Sequence, residues 1–323
     1  TMGEEWRRGW DPESIKPKKT DQKALVIGSG PSGLECTMQL ARRGYHVTLA
    51  EADNKLGGRV LFESGLKGLS AWKRVSDNRI YEIQQKNNIE IYKESELTLS
   101  HINELGIKNI FLATGSSWRK DGVGRSRRKP VQGLESLQVL TPEEAIKQSP
   151  NLSGPIVVYD DEQGYLAGVI ADHLSFDEHE VIFITPASVV SPWTESTLEQ
   201  KRIQKALLVS GVNVICNKTI DKAEGSSLNL KCVFTGEISL LKCSSLVMVT
   251  ERIPNTTLYD QLVEQENNTE QGVAKHIQLI GDAESPGLIA DAVFLGHLAA
   301  QSFEEPEQEI QKAMFMREMP SLK

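Results

Sequence analysis

The stretch ALVIGSGPSG, residues 24–33, decides the fold. An apolar run leads into Gly28, Gly30 and Gly33, and a helical pattern of apolar residues follows. In a strand–turn–helix this spacing is typical of dinucleotide binding: the first glycine allows a tight turn, the second lets the backbone approach a pyrophosphate, and the third lets the helix pack on the strand. The pyrophosphate then lies at a helix N-terminus, where free N–H groups favour an anion. The predicted cofactor-binding residues of this turn are Gly28, Gly30, Pro31, Ser32 and Gly33.

An acidic residue accompanies this turn at the expected separation. Glu51 ends the next predicted strand, 46–51, and Ala52 follows it. A carboxylate at this position accepts hydrogen bonds from the ribose hydroxyls of an adenosine. It also repels a 2′-phosphate, so the pair of motifs favours FAD, ADP or NAD over NADP.

Strands and helices alternate along the chain, which indicates α/β domains with parallel sheets. The apolar patterns predict strands at 23–28, 46–51, 86–95, 107–115, 154–159, 181–186, 211–217 and 276–281, and helices at 32–43, 165–175, 194–210 and 288–303. The segments SLNLKCVF and SLLKCSSLVMVT alternate and predict a small antiparallel sheet, whereas the polar stretch 263–272 is interpreted as a loop.

The strand at 276–281 resembles the end of the first domain rather than the end of the second. We therefore predict two Rossmann-like dinucleotide-binding domains, the second inserted in the first. The predicted boundaries are an extended arm at 1–20, an FAD- or ADP-binding domain at 21–150 plus 273–303, an NAD(P)-binding-like domain at 151–272, and a tail at 304–323.

Composition narrows the class of protein. The chain has 323 residues, 39% of them hydrophobic, and a formal net charge of −8, which disfavours nucleic-acid binding. No stretch approaches the roughly 20 apolar residues of a membrane span. The four cysteines form no CxxC pair and fit reduced thiols, so we expect a cytoplasmic location and no metal site. The basic run at 125–129 is either a solvated loop or a contact for an anionic partner.

The second domain lacks the glycine turn that a nicotinamide nucleotide needs. After the strand at 154–159, the chain has Asp160, Asp161 and Glu162 instead of glycines. Side chains there block the backbone, and carboxylates repel a pyrophosphate. We infer a nucleotide-binding fold with a degenerate motif; in the alternative, a shifted alignment still uses Gly164 and Gly168.

Three short motifs extend the predicted site. Gly58 and Arg59 lie in KLGGR, soon after the acidic strand end; Ala113, Thr114 and Gly115 end the strand at 107–115, with Trp118 close behind; Gly281 and Asp282 end the late strand. With the first turn, these motifs resemble the flavoproteins with two dinucleotide-binding domains, the glutathione reductase type. In that family, the acid that matches Asp282 approaches the pyrophosphate and ribityl part of FAD.

No catalytic constellation is visible in the sequence. The chain has no redox CxxC after the first β–α–β unit and no nucleophile elbow, P-loop or zinc signature. We therefore predict no catalytic side chain of its own and no metal ligand, and any redox chemistry falls to a cofactor.

The motifs together support a closer resemblance. GEEWRRGWDPE (3–13), the segment 24–60, NIFLATGSSWRKDG (109–122), LTPEEA (140–145) and LIGDAESPGLIADAVFLGH (279–297) are similar to the C-terminal nucleotide-binding half of the trimethylamine dehydrogenase-like flavoproteins. That family includes dimethylamine and histamine dehydrogenases and N-demethylases. The resemblance covers nearly the whole chain.

The resemblance implies a module of a multi-cofactor oxidoreductase. FMN and a [4Fe–4S] cluster are expected only in an N-terminal half, whose barrel oxidises the amine and is absent from this chain. Expected partners are this FMN barrel, an electron-transfer flavoprotein as acceptor, and a second copy in a homodimer. Trp6 and Trp10 of the arm pack on the barrel or on another partner.

The sequence leaves open both the bound nucleotide and the function of the chain. The family often has Arg where this chain has Gly287, which leaves the choice between ADP and FAD undecided. Two further functions are considered: a self-contained FAD/NAD(P)H-dependent reductase that serves as an electron-transfer subunit, and a non-catalytic scaffold in which ADP only stabilises the fold.

Overall fold

The computed structural model describes residues 17–152, 154–268 and 274–305. These residues form two compact units: the first covers 17–61, 72–116 and 254–305, and the second covers 62–71 and 117–253. Most of the predicted arm at 1–20 and tail at 304–323 lies outside the described residues.

The secondary structure elements are numbered in chain order. The strands are β1 Lys23–Ile27, β2 His46–Ala50, β3 Ile89–Tyr92, β4 Asn109–Leu112, β5 Ser116–Trp118, β6 Gln138–Leu140, β7 Ile156–Asp160, β8 Val181–Ile184, β9 Asn213–Ile215, β10 Lys218–Glu224, β11 Ser227–Cys232, β12 Ile238–Lys242, β13 Ser245–Val249, β14 Arg252–Pro254 and β15 His276–Leu279. The α-helices are α1 Pro31–Arg43, α2 Arg59–Glu63, α3 Lys73–Gln84, α4 Leu99–Leu105, α5 Pro142–Gln148, α6 Leu166–Phe176, α7 Gln200–Val209, α8 Thr257–Asn268 and α9 Ile289–Ser302.

The first unit is built on a five-stranded parallel sheet in the order β3-β2-β1-β4-β15. Its central strand, β1, has the sequence KALVI, and all its residues after Lys23 are buried. The chain continues from β1 to β2 on one side, and β4 pairs with β1 on the other. The carboxyl end of β1 is therefore a topological switch point, the place where open α/β sheets bind ligands.

Side chains of β1 alternate between two apolar layers. Ala24 and Val26 belong to a core that includes residues of α1 and α9, whereas Leu25 and Ile27 belong to a core with Ile102 of α4 and residues of α8. Helices thus cover both faces of the sheet, as the apolar run of β1 requires.

The second unit contains another parallel sheet and a small antiparallel one. The parallel sheet has the order β6-β13-β7-β8-β9 and the antiparallel sheet the order β10-β11-β12. The α/β class with parallel sheets is therefore confirmed.

Several predicted boundaries differ from those of the structure. The domain division lies at 116/117 and 253/254 rather than at 150/151 and 272/273. The reason is that β6 pairs with β13 of the second sheet, whereas Leu262 of α8 packs in a core of the first unit. The insertion of one unit within the other matches the prediction.

Two local predictions were wrong. The polar stretch 263–272 was interpreted as a loop, but α8 continues to Asn268 because Leu258 and Leu262 pack on the first sheet. The segment 239–250 contributes only β12 to the antiparallel sheet. Its second part, β13, is fully buried and joins the parallel sheet, as an unbroken apolar run does when both of its faces are covered.

The sequence predicts no membrane span, and the helices of the described residues bear on this prediction. No helix there is both long enough and apolar enough to cross a bilayer.

Candidate functional site

The turn after β1 is fixed by two glycines that no other residue can replace without a clash. Gly28 has φ +100°, and a Cβ on it would lie 2.3 Å from the carbonyl oxygen of Ala113. A Cβ on Gly33 would lie 1.9 Å from the carbonyl oxygen of Gly28. These contacts place the first turn of α1 directly against the end of β1, so the turn is tight and the helix starts close to the sheet.

Gly30 has a different environment from its two neighbours. Its backbone, with φ −64° and ψ 177°, is accessible to any residue, and a Cβ on it would meet nothing within 4 Å. Gly30 is the N-cap of the 13-residue helix α1 and provides no side-chain cap; Pro31 follows it, so the first helical N–H group is that of Ser32. The backbone at Gly30 is therefore open to the approach of another molecule.

A buried hydroxyl without a partner lies beside the same helix end. Ser32 is 5% exposed, and its Oγ has no hydrogen-bond partner among the described residues. A Cβ on Gly281, which has φ +63°, would come within 2.8 Å of this oxygen. A hydroxyl left unsatisfied at a helix N-terminus is suited to donate to an anion.

Glu51 is held in place by the glycine turn itself. Its Oε2 accepts hydrogen bonds from the backbone N and the Oγ of Ser29, the former at 2.8 Å, and its Oε1 accepts one from the backbone N of Asp53 at 2.9 Å. The carboxylate is therefore fixed at the carboxyl edge of the sheet. The next residue, Ala52, lies in the loop that follows β2.

Arg59 and Asp282 form an ion pair at the same edge, although 223 positions separate them in the sequence. Arg59 Nη1 lies 3.0 Å from Asp282 Oδ2, and both side chains are partly exposed. The Oγ of Ser116 donates to the same carboxylate oxygen at 2.9 Å, and the backbone N of Gly287 donates to Oδ1 at 3.1 Å. A Cβ on Gly58 would lie 2.8 Å from the Cα of Gly30, so the loop before Arg59 packs on the glycine turn.

The segment after β4 is held by the chain that precedes α8. Ala113 continues the sheet through a hydrogen bond from its N to the carbonyl oxygen of Ile27. Thr114 Oγ1 donates to the carbonyl oxygen of Asn255 at 2.7 Å, and the backbone N of Asn255 donates to the carbonyl oxygen of Gly115 at 2.9 Å. These residues therefore flank the end of β1.

The structure thus brings most of the predicted cofactor-binding residues to one edge of the first sheet. They are Gly28, Gly30, Pro31, Ser32, Gly33, Glu51, Ala52, Gly58, Arg59, Ala113, Thr114, Gly115, Gly281 and Asp282. Trp118 falls in the second unit, where it is 8% exposed and Arg252 stacks over its ring at 5.2 Å.

The sheet order, the glycine turn and the late Gly–Asp can be compared with those of known protein families. The model of the pyridine nucleotide-disulphide oxidoreductases matches residues 7–64 and 22–293. The chain belongs to that family. Its domains are of the FAD- and NAD(P)-binding kind, so the glutathione reductase type predicted from the motifs is confirmed.

Similar proteins narrow the relationship within this oxidoreductase family. The chain is 30% identical to dimethylamine dehydrogenase of Hyphomicrobium sp. (strain x), over 97% of this chain and 46% of that protein. The structure of histamine dehydrogenase from Rhizobium sp. 4-9 matches with a TM-score of 0.90 and 40% identity, over 94% of this chain and 45% of that one. The structure of 6-hydroxypseudooxynicotine amine oxidase from Pseudomonas geniculata N1 matches with a TM-score of 0.88 and 34% identity, over 94% of this chain and 45% of that one.

The resemblance to the trimethylamine dehydrogenase-like flavoproteins is thereby confirmed. The chain spans less than half the length of these relatives. Thioredoxin reductase of Lactococcus lactis, at 18% identity and a TM-score of 0.60, shares the fold alone.

The second unit of this oxidoreductase chain has a turn of a different kind after β7. Asp160 and Asp161 are completely buried. Asp160 Oδ1 accepts a hydrogen bond from the backbone N of Gln163 at 2.7 Å, and Asp161 Oδ2 accepts one from the backbone N of Ser126 at 3.0 Å. Burial raises the pKa of both carboxyl groups, that of Asp160 well above its usual value.

The two later glycines, Gly164 before α6 and Gly168 within it, both lie close to neighbouring side chains. A Cβ on Gly168 would lie 2.4 Å from Cγ2 of Ile203, so this glycine lets α6 and α7 pack closely. A Cβ on Gly164 would lie 2.7 Å from Oε2 of Glu162. The packing role of Gly168 favours the degenerate-motif interpretation over the shifted alignment, whereas the neighbour of Gly164 is the flexible end of a side chain.

The basic run at 125–129 lies beside this acidic turn. Besides the bond from Ser126, Arg127 Nη1 donates to the carbonyl oxygen of Ile220 at 2.9 Å, and the guanidinium of Arg125 stacks 4.9 Å over the ring of Trp193. Arg125 and Arg127 are therefore both in contact with residues of the second unit.

Replacement of Asp160 by asparagine tests its protonation. Because the folded pKa is raised, native Asp160 stabilises the protein fully only below about pH 4, and this contribution falls as the pH rises towards the folded pKa. We expect the stability of Asp160→Asn, relative to the native chain, to increase by up to about 1.4 kcal/mol per pH unit across this window. Urea unfolding between pH 4 and 8 measures the difference; a constant difference would mean that Asp160 is ionised when folded.

Several residues of the first edge were not found from the sequence. Ser29 and Ser116 orient the two carboxylates, and a Cβ on Gly296 of α9 would lie 2.2 Å from the carbonyl oxygen of Ser32. Ser29 lies inside the glycine motif and was identifiable there. Gly296 had only a weak signal, a single glycine in an apolar helix.

Proposed function

We propose that the chain is the adenine-nucleotide-binding module of an oxidoreductase related to amine dehydrogenases and N-demethylases. Its ligand is ADP or FAD, bound at the edge of the first sheet by the glycine turn, Glu51 and the Arg59–Asp282 pair. The observation that carries the proposal is the open space over Gly30, between two glycines whose neighbours leave no room for a side chain.

The pyrophosphate is assigned to the N-terminus of α1. The space over Gly30 admits the phosphates, and the helix N–H groups with the Ser32 hydroxyl supply donors to them. Arg59, the first residue of α2, is partly exposed and places its guanidinium, paired with Asp282, on the same side. This set of donors fits a diphosphate.

The ribose is assigned to Glu51. Ser29 and Asp53 fix its carboxylate at the carboxyl edge of the sheet. The carboxylate oxygens can accept further hydrogen bonds there. An ionised acid at this point accepts from two hydroxyls and repels a 2′-phosphate. ADP and FAD meet this requirement, whereas NADP does not.

Asp282 bears on the choice between ADP and FAD. Its two oxygens already accept hydrogen bonds from Arg59, Ser116 and Gly287. A ribityl chain at Asp282 has to compete with these partners, whereas ADP has no ribityl chain. Both ligands remain in the proposal, and the first experiment separates them.

Amine oxidation belongs to a part of the enzyme that this chain does not contain. The relatives that are named dehydrogenases or an oxidase of amines are more than twice as long as the matched region. We assign FMN and a [4Fe–4S] cluster to an N-terminal barrel, fused or separate; FMN supplies the two-electron oxidation of the amine. An electron-transfer flavoprotein as acceptor, a homodimer and a cytoplasmic location complete this proposal.

The identity of the bound nucleotide is the direct test. The purified chain is denatured and the released nucleotide is identified by chromatography, after an absorbance spectrum of the intact protein. One equivalent of ADP without a flavin band, or of FAD with one, supports the module. Absence of both from the protein, together with no uptake of either on incubation, would overturn it.

Substitution of Glu51 by glutamine tests the ribose assignment. An amide cannot accept the same hydrogen bonds from Ser29 and from ribose hydroxyls, so we expect ADP affinity to fall by about 10- to 100-fold. Titration calorimetry on nucleotide-free protein measures the change. The control is Asp53→Asn, which keeps the backbone N–H that binds Glu51; equal losses in both variants would contradict the assignment.

A further inference from the structure

The antiparallel sheet of the second unit has one covered edge and one open edge. At the β10 edge, the backbone N of Ala223 donates to the carbonyl oxygen of Gln132 at 2.8 Å, and Arg127 Nη1 donates to the carbonyl oxygen of Ile220 at 2.9 Å. The loop before β6 therefore covers that edge. The other edge is β12, which pairs only with β11 among the described strands.

The hydrogen-bond pattern shows which backbone groups of β12 point away from β11. The backbone N of Cys232 donates to the carbonyl oxygen of Glu237 at 2.9 Å. In an antiparallel ladder such pairs recur at every second residue, so the residues between them direct their N–H and C=O groups to the open edge. These outward residues are Ile238, Leu240 and Lys242, and none of their backbone groups bonds to another described residue.

The side chains of β12 leave this edge accessible. Ile238 is 50% exposed and Leu240 68% exposed. Native proteins usually protect an open edge with a proline, a bulge or a charge in the middle of the strand. The sequence ISLLK of β12 has its one charge at the end, in Lys242, and its register with β11 is unbroken. The strand therefore presents a regular row of donors and acceptors to which a further strand can add.

A second copy of β12 satisfies this edge. When two such strands run antiparallel with Leu240 of one opposite Leu240 of the other, all outward residues exchange N–H···O=C bonds, and Ile238 of each copy lies opposite Lys242 of the other. The two leucine side chains meet at the two-fold axis. The two lysines lie about 13 Å apart, at opposite ends of the pair, so no like charges are brought together. Such a contact closes after two copies.

We propose that β12 is the surface through which two copies of this chain associate, by joining two three-stranded sheets into one of six strands. The inference deepens the homodimer of the proposed function by assigning its surface. It is independent of the bound nucleotide, since β12 belongs to the second unit and the proposed nucleotide site to the first.

Sedimentation of the full chain over a range of concentrations tests the proposal. Between about 1 and 500 µM, the mass should rise from 35.8 kDa to twice that value, with a dissociation constant on the order of 10 µM for so short an edge. Leu240→Lys places two like charges opposite each other and should weaken the dimer about tenfold or more. The matched control is Leu208→Lys, at a 64% exposed leucine of α7, which should associate as the native chain does.

A cysteine at the two-fold axis tests the register. Opposite residues of a hydrogen-bonded antiparallel pair have Cα atoms about 5.5 Å apart, a distance that a disulfide spans. Under a mild oxidant, Leu240→Cys should therefore yield a covalent dimer. The native chain, which has four cysteines, and Leu208→Cys are the controls for other crosslinks.

Three results would each overturn the proposal. They are a native chain that stays at 35.8 kDa up to about 500 µM, a Leu240→Lys variant that associates as tightly as the native chain, and a Leu240→Cys variant that forms no more covalent dimer than Leu208→Cys. The nucleotide released from the same preparations tests the proposed function separately. A monomer that carries ADP or FAD contradicts only the surface, whereas a dimer that binds neither contradicts only the nucleotide assignment.

Discussion

Gly30→Glu should weaken binding of ADP or FAD by about 1000-fold while it leaves the free energy of unfolding of the nucleotide-free chain within about 1 kcal/mol of the native value. The backbone of Gly30 suits any residue, and its Cβ would meet no atom within 4 Å, so the folded chain tolerates a side chain there. A carboxylate in that space meets a diphosphate at close range, where like charges repel by several kcal/mol, about 4 kcal/mol at 4 Å and intermediate dielectric.

Calorimetric titration and urea unfolding of the same preparation measure both quantities. The matched variant is Gly33→Ala, whose Cβ would lie 1.9 Å from the carbonyl oxygen of Gly28. That variant should lose about 2–3 kcal/mol of stability with or without nucleotide. Undiminished nucleotide binding by Gly30→Glu would place the ligand elsewhere.

Arg43→Met should destabilise the first unit by about 3–5 kcal/mol. The guanidinium of Arg43 is 1% exposed and caps the carboxyl end of α9. Its Nη1 donates to the carbonyl oxygens of Ala300, Gln301 and Phe303, and its Nη2 pairs with Glu305 at 2.6 Å. Methionine fills similar volume but leaves these carbonyl groups without a donor in an apolar core.

The adjacent arginine supplies the control for this variant. Arg42 pairs with Glu82 at 3.1 Å, and both side chains are about one-third exposed. Surface pairs of this kind contribute roughly 0–1 kcal/mol, so Arg42→Met should leave the urea midpoint almost unchanged. Equal effects of the two variants would show that Arg43 acts only through its charge.

The sequence predicts the first β–α–β unit well because the signals there are local. The turn at 24–33 contains its own glycines, the helix after it has an apolar period, and Glu51 follows at a fixed separation. The structure keeps β1, α1 and β2 within one or two residues of the predicted bounds. Each signal depends only on neighbours in the chain, which a single sequence contains.

Features that depend on distant partners were missed. The three residues of β6 become a strand because they pair with β13, more than 100 positions away. The predicted loop at 263–272 overlaps only the C-terminal half of α8. That half is polar, and the residues that reveal the buried side of the helix, Leu258 and Leu262, lie before it.

In the candidate site, too, contacts between residues far apart in the sequence were not predicted. Its residues were found one motif at a time, but the pairing of Arg59 with Asp282 and the support from Ser116 link segments that no local pattern connects. Trp118 was included because it follows Gly115 closely, yet the chain enters the second unit just before it.

The order of segments has a consequence for synthesis on the ribosome. β15 completes the edge of the first sheet, and α9 covers the face on which α1 lies, but both are translated only after the whole second unit. At typical elongation rates the interval between β4 and the end of α9 is roughly 10 to 40 s. During that time the nascent first unit exposes an open strand edge and an apolar helix face, the features that make an incomplete domain prone to aggregation.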